Sequence, residues 1–472
     1  MVVGEIIQEK ELIIIGGGPG GYTAAIRAAQ LGQNVTLIEK DQLGGVCLNK
    51  GCIPSKVYTH AASELDNISH LSELGIETQK PVIQLQTLME YKNRITDQLK
   101  KGVEALCKAN KIEVIKGEAT FLSKDRIGVE SGHDFQTFRF KTAILAAGGK
   151  PSTPAGITVS NRTFLSYEIF SLTDVPAHLV VQGNDLIDLE MATTFHSFGS
   201  KVTVLLEKDN DLPFDPAISK ELKRLFKKKK IKLETDCTSI QTATSDDGVT
   251  VMFHNKNSEE TTVEASHFYT TGTIGVDAAT LGIDRLKMEM TEEGLIQIDG
   301  QLQTSIQNIY AIGDLTPGPS RAVKAIKQAK TVAERIAGVP AEVDFTLSPV
   351  IVHTLPPIAS VGLTETEATE QNYSIKTSQF PLASNGYASI LGKKDGFVKV
   401  IAEEGTDLIL GIHMIGEGAI ELSSTMAISM EMVARAEDFT FPNYAHPSSN
   451  ESLLEAVEGL TGRAIHMAPT KK

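Results

Sequence analysis

Four residues separate Cys47 from Cys52 in the segment GGVCLNKGCIPSK, Gly44 to Lys56, and no other two of the four cysteines are close in sequence. In a reducing compartment four cysteines in a chain this long do not form a structural disulfide framework, so a close pair points to redox catalysis or metal binding. Pro54 suits the first turn of a helix beginning at Cys52 or Ile53. A thiolate at such a helix start has a depressed pKa, as a nucleophile or electron donor requires, and Lys56 one turn later adds positive charge. A zinc site would need four ligands, and no second Cys or His pair lies nearby. Two buried free thiols are the plainer alternative for this pair, and the natural reading of the isolated Cys107 and Cys237.

Such chemistry needs a scaffold, and the chain repeats one. The segments LIIIGGGPGGYTAAIRAAQLGQNVTLIEKD, from Leu12, and LVVQGNDLIDLEMATTFHSFGSKVTVLLEKD, from Leu179, share one plan: apolar strand, glycine turn, helix, glycine, second strand. Gly16 and Gly32 have the same separation as Gly183 and Gly199, which implies two nucleotide-binding βαβ units. In the first, Gly16, Gly18 and Gly21 form GxGxxG between strand and helix, where glycines admit a diphosphate to the backbone and the helix N-terminus stabilises it. Glu39, at the end of the second strand, is placed to bind ribose hydroxyls.

The second unit keeps Gly183 but has Asp185 and Asp188 where the first has Gly18 and Gly21. A carboxylate there fills space that a phosphate needs and repels it: like unit charges ~4 Å apart at an effective dielectric of about 20 cost about 4 kcal/mol. The two aspartates suit capping of the helix instead. Leu206 stands at the place of Glu39, with Glu207 one residue later.

At 472 residues the chain exceeds one core, and about three domains are expected. A net charge of -14 argues against nucleic acid as a partner. The basic run Lys223, Arg224, Lys227 to Lys230 and Lys232 reads as a solvated helix end rather than an anion site. There is no signal-peptide pattern and no apolar run of ~20 residues, so a cytoplasmic protein without a membrane span is expected.

GGGPGGYTAAIRAAQLG and GGVCLNKGCIPSK, followed by AILAAGG, NIYAIGDLTPGP, IASVGLTETEA and AHPSSNESLLEA, make the chain resemble dihydrolipoamide dehydrogenase, within the flavin disulfide reductases, over essentially its full length. The resemblance implies an α/β fold with two Rossmann-like domains and a C-terminal α+β dimerisation domain. It divides the chain into an FAD-binding domain (1–150), an inserted NAD-type domain (151–276), a segment completing the FAD domain (277–345) and an interface domain (346–472). By resemblance Cys47 exchanges with substrate and Cys52 faces the flavin, with Lys56 and Glu190 beside the isoalloxazine. Asp314 binds the ribityl chain, and Ala322 lies in the next flavin contact. His446 and Glu451 match a base and its orienting carboxylate, which serve the cysteines of the other subunit in a homodimer. Gly183, Glu207 and Gly272 fall in the NAD site.

The implied activity is oxidation of dihydrolipoamide with FAD, then NAD as acceptor, within a 2-oxoacid dehydrogenase complex whose lipoyl groups are the partners. Asp185 and Asp188 oppose NAD binding. GTIGV, Gly272 to Val276, lacks an Arg and an Asn that the family carries, and Val323 and Tyr444 replace histidines. Two other readings therefore remain open: a flavin disulfide reductase that hardly uses a nicotinamide, and a non-catalytic flavoprotein subunit.

Overall fold

The computed structural model of the chain describes residues 7–207 and 212–468. Its first sheet is built on parallel strands in the order Glu113–Lys116, Val35–Glu39, Ile7–Ile15, Asp134–Leu145, with Ile309–Ala311 returning to pair with the last. Leu12, Ile13, Ile14 and Ile15 are all buried, the continuous apolar run of a strand covered on both faces. Arg126–Ser131 and Glu118–Ser123 extend the sheet in antiparallel fashion. The helix Pro19–Gln30 turns Ala24, Ala25 and Ala28 inward, small residues that let it lie close to the sheet.

The repeat seen in the sequence is a repeat in space. A second parallel sheet, ordered Lys232–Glu234, Lys201–Leu205, His178–Gln182, His267–Thr270, Thr163–Leu165, carries the helix Leu186–Phe198 where the first carries Pro19–Gln30. The Gly183 amide bonds the Leu205 carbonyl as the Gly16 amide bonds that of Ile38, so the two turns superpose in register. The C-terminal part is a five-stranded antiparallel sheet, Val350–Val352 to Ile409–Ile415, with the helices Ala419–Glu431 and Asn450–Gly459 packed on it. The α/β class with two nucleotide-type units and a C-terminal α+β part is as the sequence implies.

The helix Cys52–His70 is held between the parts. Its Val57, Tyr58 and Ala62 share a core with Leu189, Phe195 and Phe198 of the second unit and with Val352, Ile358 and Phe397 of the C-terminal sheet. Tyr58 donates to the Phe170 carbonyl at 3.2 Å. The basic run ends the helix Pro216–Lys229, and most of it is paired: Arg224 and Lys228 with Asp395, Lys229 with Asp66, and Lys232 with Glu234.

Candidate active site

Cys47 lies in the short helix Gly45–Asn49, and Cys52 is the first residue of the helix that follows. Their side chains are hydrogen-bonded to each other, so one proton between two sulfurs settles unequally. Cys52 is driven down, first by the hydrogen bond from Cys47 and then, against burial, by the charge of Lys56. Cys47 is driven up by the same hydrogen bond, by burial and by the Cys52 charge. In the reduced pair the Cys52 thiolate is therefore favoured over that of Cys47.

Lys56 donates to both carboxylate oxygens of Glu190 at 2.8 Å, and the His353 amide donates to Glu190 Oε1 at 2.8 Å. Glu190 is 1% exposed, so this pair fixes a charge in the layer between the cysteine helix and the second unit. Burial and the Lys56 charge lower the pKa of His353, against the pull of Glu190 and Glu421.

Both cysteines line a cleft of about 500 Å³ together with Gly16, Gly18, Glu39, Asp314 and Ala322. The three turn glycines are needed for different reasons: Gly16 has a φ of +103° and no room for a Cβ against the Ala146 carbonyl oxygen. A Cβ on Gly21 would overlap the Gly16 carbonyl oxygen, so that glycine serves helix–strand packing. A Cβ on Gly18 would meet only Gly45 Cα at 3.9 Å, so its missing side chain leaves room in the cleft rather than in the protein. Glu39 accepts from the amides of Gly17 at 2.5 Å and Asp41 at 2.7 Å, placing its carboxylate at the strand end where a ribose would lie.

Asp314 lies in the short helix Gly313–Leu315, and burial raises its pKa against the Lys324 charge. Lys324 is itself buried and donates to the carbonyls of Thr316, Pro317 and Gly318 at 2.8, 3.0 and 3.2 Å, fixing the loop after Asp314. Nothing in the sequence singled it out. A glycine-lined turn, a strand-end carboxylate and Asp314 on one cleft suit a dinucleotide such as FAD, with the dithiol against one part of it.

In the second unit both aspartates cap the helix. Asp185 accepts from the Ile187 amide at 2.9 Å, while Asp188 accepts from the amides of Asp185 at 3.2 Å and Thr271 at 2.9 Å. Asp188 fills the space beside Gly183, where a Cβ would clash with its carboxylate and where the φ of +131° itself favours glycine. Burial, then the Asp185 charge, push Asp188 up to about 8. Burial thus favours the protonated form of Asp188, whose carboxyl occupies the turn beside Gly183, and it also raises the pKa of Asp185. Gln182 donates to Glu207 at 3.4 Å. Gly272 lies where the chain crosses Ser152, too closely for a Cβ.

His446 and Glu451 pair with each other and not with the cysteines of their own chain. His446 Nδ1 lies 2.8 Å from Glu451 Oε1, Glu451 Oε2 accepts from the Ser448 amide at 2.8 Å, and the His446 side chain is 82% exposed. Against the upward push of burial, those two hydrogen bonds hold Glu451 below the usual carboxylate range. The pair is absent from the lining of the cysteine cleft. Among the described residues no helix is long and apolar enough to cross a membrane.

Comparison with known proteins agrees with this layout. The family profile described as "Pyridine nucleotide-disulphide oxidoreductase" matches residues 10–329, and the dimerisation-domain profile of the same name matches residues 348–457. The chain is 38% identical over 468 residues to a dihydrolipoyl dehydrogenase of Geobacillus stearothermophilus, covering 99% of each. It is 39% identical over 469 residues to that of Bacillus subtilis, covering 99% of this chain and 100% of the relative. In fold it is similar to LpdA from Mycobacterium tuberculosis, with a TM-score of 0.88 at 23% identity over 96% of this chain and 99% of the other. It is also similar to the HOCl-induced flavoprotein disulfide reductase RclA from Escherichia coli, with a TM-score of 0.83 at 24% identity over 95% and 99%.

Proposed function

This chain belongs to the pyridine nucleotide-disulphide oxidoreductase family, and from that premise we propose that it is an FAD-dependent oxidoreductase that oxidises dihydrolipoamide to lipoamide through Cys47 and Cys52. NAD is the acceptor, and the partners are the lipoyl groups of a 2-oxoacid dehydrogenase complex. The unequal cysteine pair above the Lys56–Glu190 ion pair carries this reading.

The working unit is a homodimer, in which His446 of one subunit serves the cysteines of the other. The His446–Glu451 pair takes a proton from a substrate thiol, Glu451 fixing the imidazole tautomer. The substrate thiolate attacks Cys47 Sγ of the disulfide, forming a mixed disulfide and releasing Cys52 as thiolate. His446 releases that first proton to solvent and takes one from the second substrate thiol, whose sulfur displaces Cys47 and closes the lipoamide disulfide; the second proton passes from His446 to Cys47, the sulfur that binds protons more tightly. Lys56 keeps Cys52 ionised as electron donor. Gly16, Gly18, Gly21, Glu39, Asp314 and Ala322 would hold FAD, which supplies a two-electron relay between the dithiol and NAD.

The second unit would hold NAD, with Gly183 at its turn, Glu207 beside its strand end and Gly272 at its crossing point. Asp185 and Asp188 weaken that hold relative to a glycine-lined turn. In the test, dihydrolipoamide and NAD are supplied and NADH is followed by absorbance. Turnover that vanishes in Cys47→Ser and Cys52→Ser supports the proposal, and undiminished turnover in either variant contradicts it.

A further inference from the structure

Four cationic side chains line the cysteine cleft, and the chain pairs three of them: Lys40 with Glu118 at 3.1 Å, Lys50 with Asp41 at 2.8 Å and Lys150 with Asp277 at 3.9 Å. Arg321 is the fourth. Among the described residues no hydrogen bond or ion pair reaches its guanidinium, although the residue is half-buried. Burial lowers its pKa, opposed by the charge of Asp185. A guanidinium carries five donors in a planar fork that matches phosphate, and removing it from water without an acceptor is costly. An anion is the complement this position lacks.

The place of Arg321 says which anion. It immediately precedes the helix Ala322–Ile336 of the first unit, yet it lines one cleft with Asp185, the cap of the helix Leu186–Phe198, and with Thr271 and Gly272 of the second unit. It therefore stands between the units and addresses the turn that lost its glycines, whereas the diphosphate of the first unit already has the Gly16 to Gly21 turn. We propose that Arg321 anchors the diphosphate of the acceptor dinucleotide, taking over the anion-binding role that Asp185 and Asp188 deny to the turn of the second unit. This rests on the nicotinamide-linked function proposed above. It explains how a chain that fills its second glycine turn can still use a dinucleotide.

Isothermal titration of the FAD-loaded dimer with NAD, and separately with ADP-ribose, at low and high salt tests this. Arg321→Leu is expected to weaken both ligands by about tenfold or more, the usual loss for a charge-assisted hydrogen bond, and to flatten the salt dependence. Arg321→Lys, which keeps the charge without the fork, should fall between the two, and Asp185→Asn should tighten binding. Equal affinities in Arg321→Leu and the parent overturn the proposal, as does a parent protein with no affinity for either ligand. A lowered flavin-to-protein ratio in Arg321→Leu also overturns it, because the guanidinium would then serve the diphosphate of FAD. Failure of dihydrolipoamide to reduce the flavin of the parent would strike instead at the function on which the proposal rests, leaving the affinity comparison to decide the role of Arg321.

Discussion

Replacing Lys56 with leucine removes the cation paired with Glu190 and leaves a carboxylate that is 1% exposed, whose remaining donor among the described residues is the His353 amide at 2.8 Å. Two unit charges 2.8 Å apart attract by ~6 kcal/mol at an effective dielectric of 20. Lys56 is 37% exposed, so water screens part of that attraction, and about 3 kcal/mol is the loss expected when one partner of such a pair is removed. Glu190→Gln, which keeps an acceptor and removes the buried charge, should cost about 1 kcal/mol. Lys56→Leu combined with Glu190→Leu should be more stable than Lys56→Leu alone, since no charge is left buried. Urea unfolding of the FAD-loaded protein reads the order, and alkylation of the reduced thiols against pH reads the second effect. Without Lys56, Cys52 loses the cation that favours its thiolate, so its alkylation midpoint moves to higher pH. A Lys56→Leu variant as stable as Glu190→Gln, with an unshifted midpoint, would refute the reasoning.

Further outcomes follow from the same geometry. Gly18→Val should fold normally, since its Cβ has open space, and lose FAD at least tenfold more readily; Gly21→Ala should fail to fold, because its Cβ overlaps the Gly16 carbonyl oxygen. Flavin content and circular dichroism separate the two. Asp188 has a folded pKa raised to about 8, so it favours the protonated state: its contribution is present at acid pH and is lost as pH rises from its unfolded value of about 4 towards 8. Asp188→Asn should flatten the stability profile between pH 5 and 8, by up to about 1.4 kcal/mol per pH unit, and parallel profiles would contradict this. Lys399→Met should destabilise by about 3 kcal/mol, since it strands Asp215, a fully buried cap of the helix Pro216–Lys229 that Lys399 bonds at 2.8 and 2.9 Å. Glu451→Gln should lower dihydrolipoamide turnover by about a hundredfold while leaving the flavin spectrum unchanged.

What could be read from the sequence was local. GxGxxG, the repeat and the cysteine spacing depend on neighbours within one turn and its flanking strands, and the capping by Asp185 and Asp188 follows from their positions at one helix start. The contacts that escaped notice join distant parts of the chain. Asp215 meets Lys399 and Glu365 across 150 residues or more, and His353 approaches Glu190 from the C-terminal sheet. Lys324 gave no signal because a lysine on a helix is ordinarily solvated, and only the fold shows three carbonyls turned towards it. Arg321 carries no motif of its own, and only the fold brings it into a cleft whose other cations are paired. The charge on Asp188 was overstated for a related reason, since burial depends on the whole unit and not on spacing.

The most direct test is an anaerobic titration of the purified, FAD-loaded protein with dihydrolipoamide, followed across the visible spectrum. A Cys52 thiolate held against the flavin predicts a long-wavelength charge-transfer band after one equivalent, absent in Cys52→Ser, and reoxidation when NAD is added. A protein that binds no flavin, or whose flavin spectrum does not respond to dihydrolipoamide, contradicts the assignment of Cys47 and Cys52 as a redox pair.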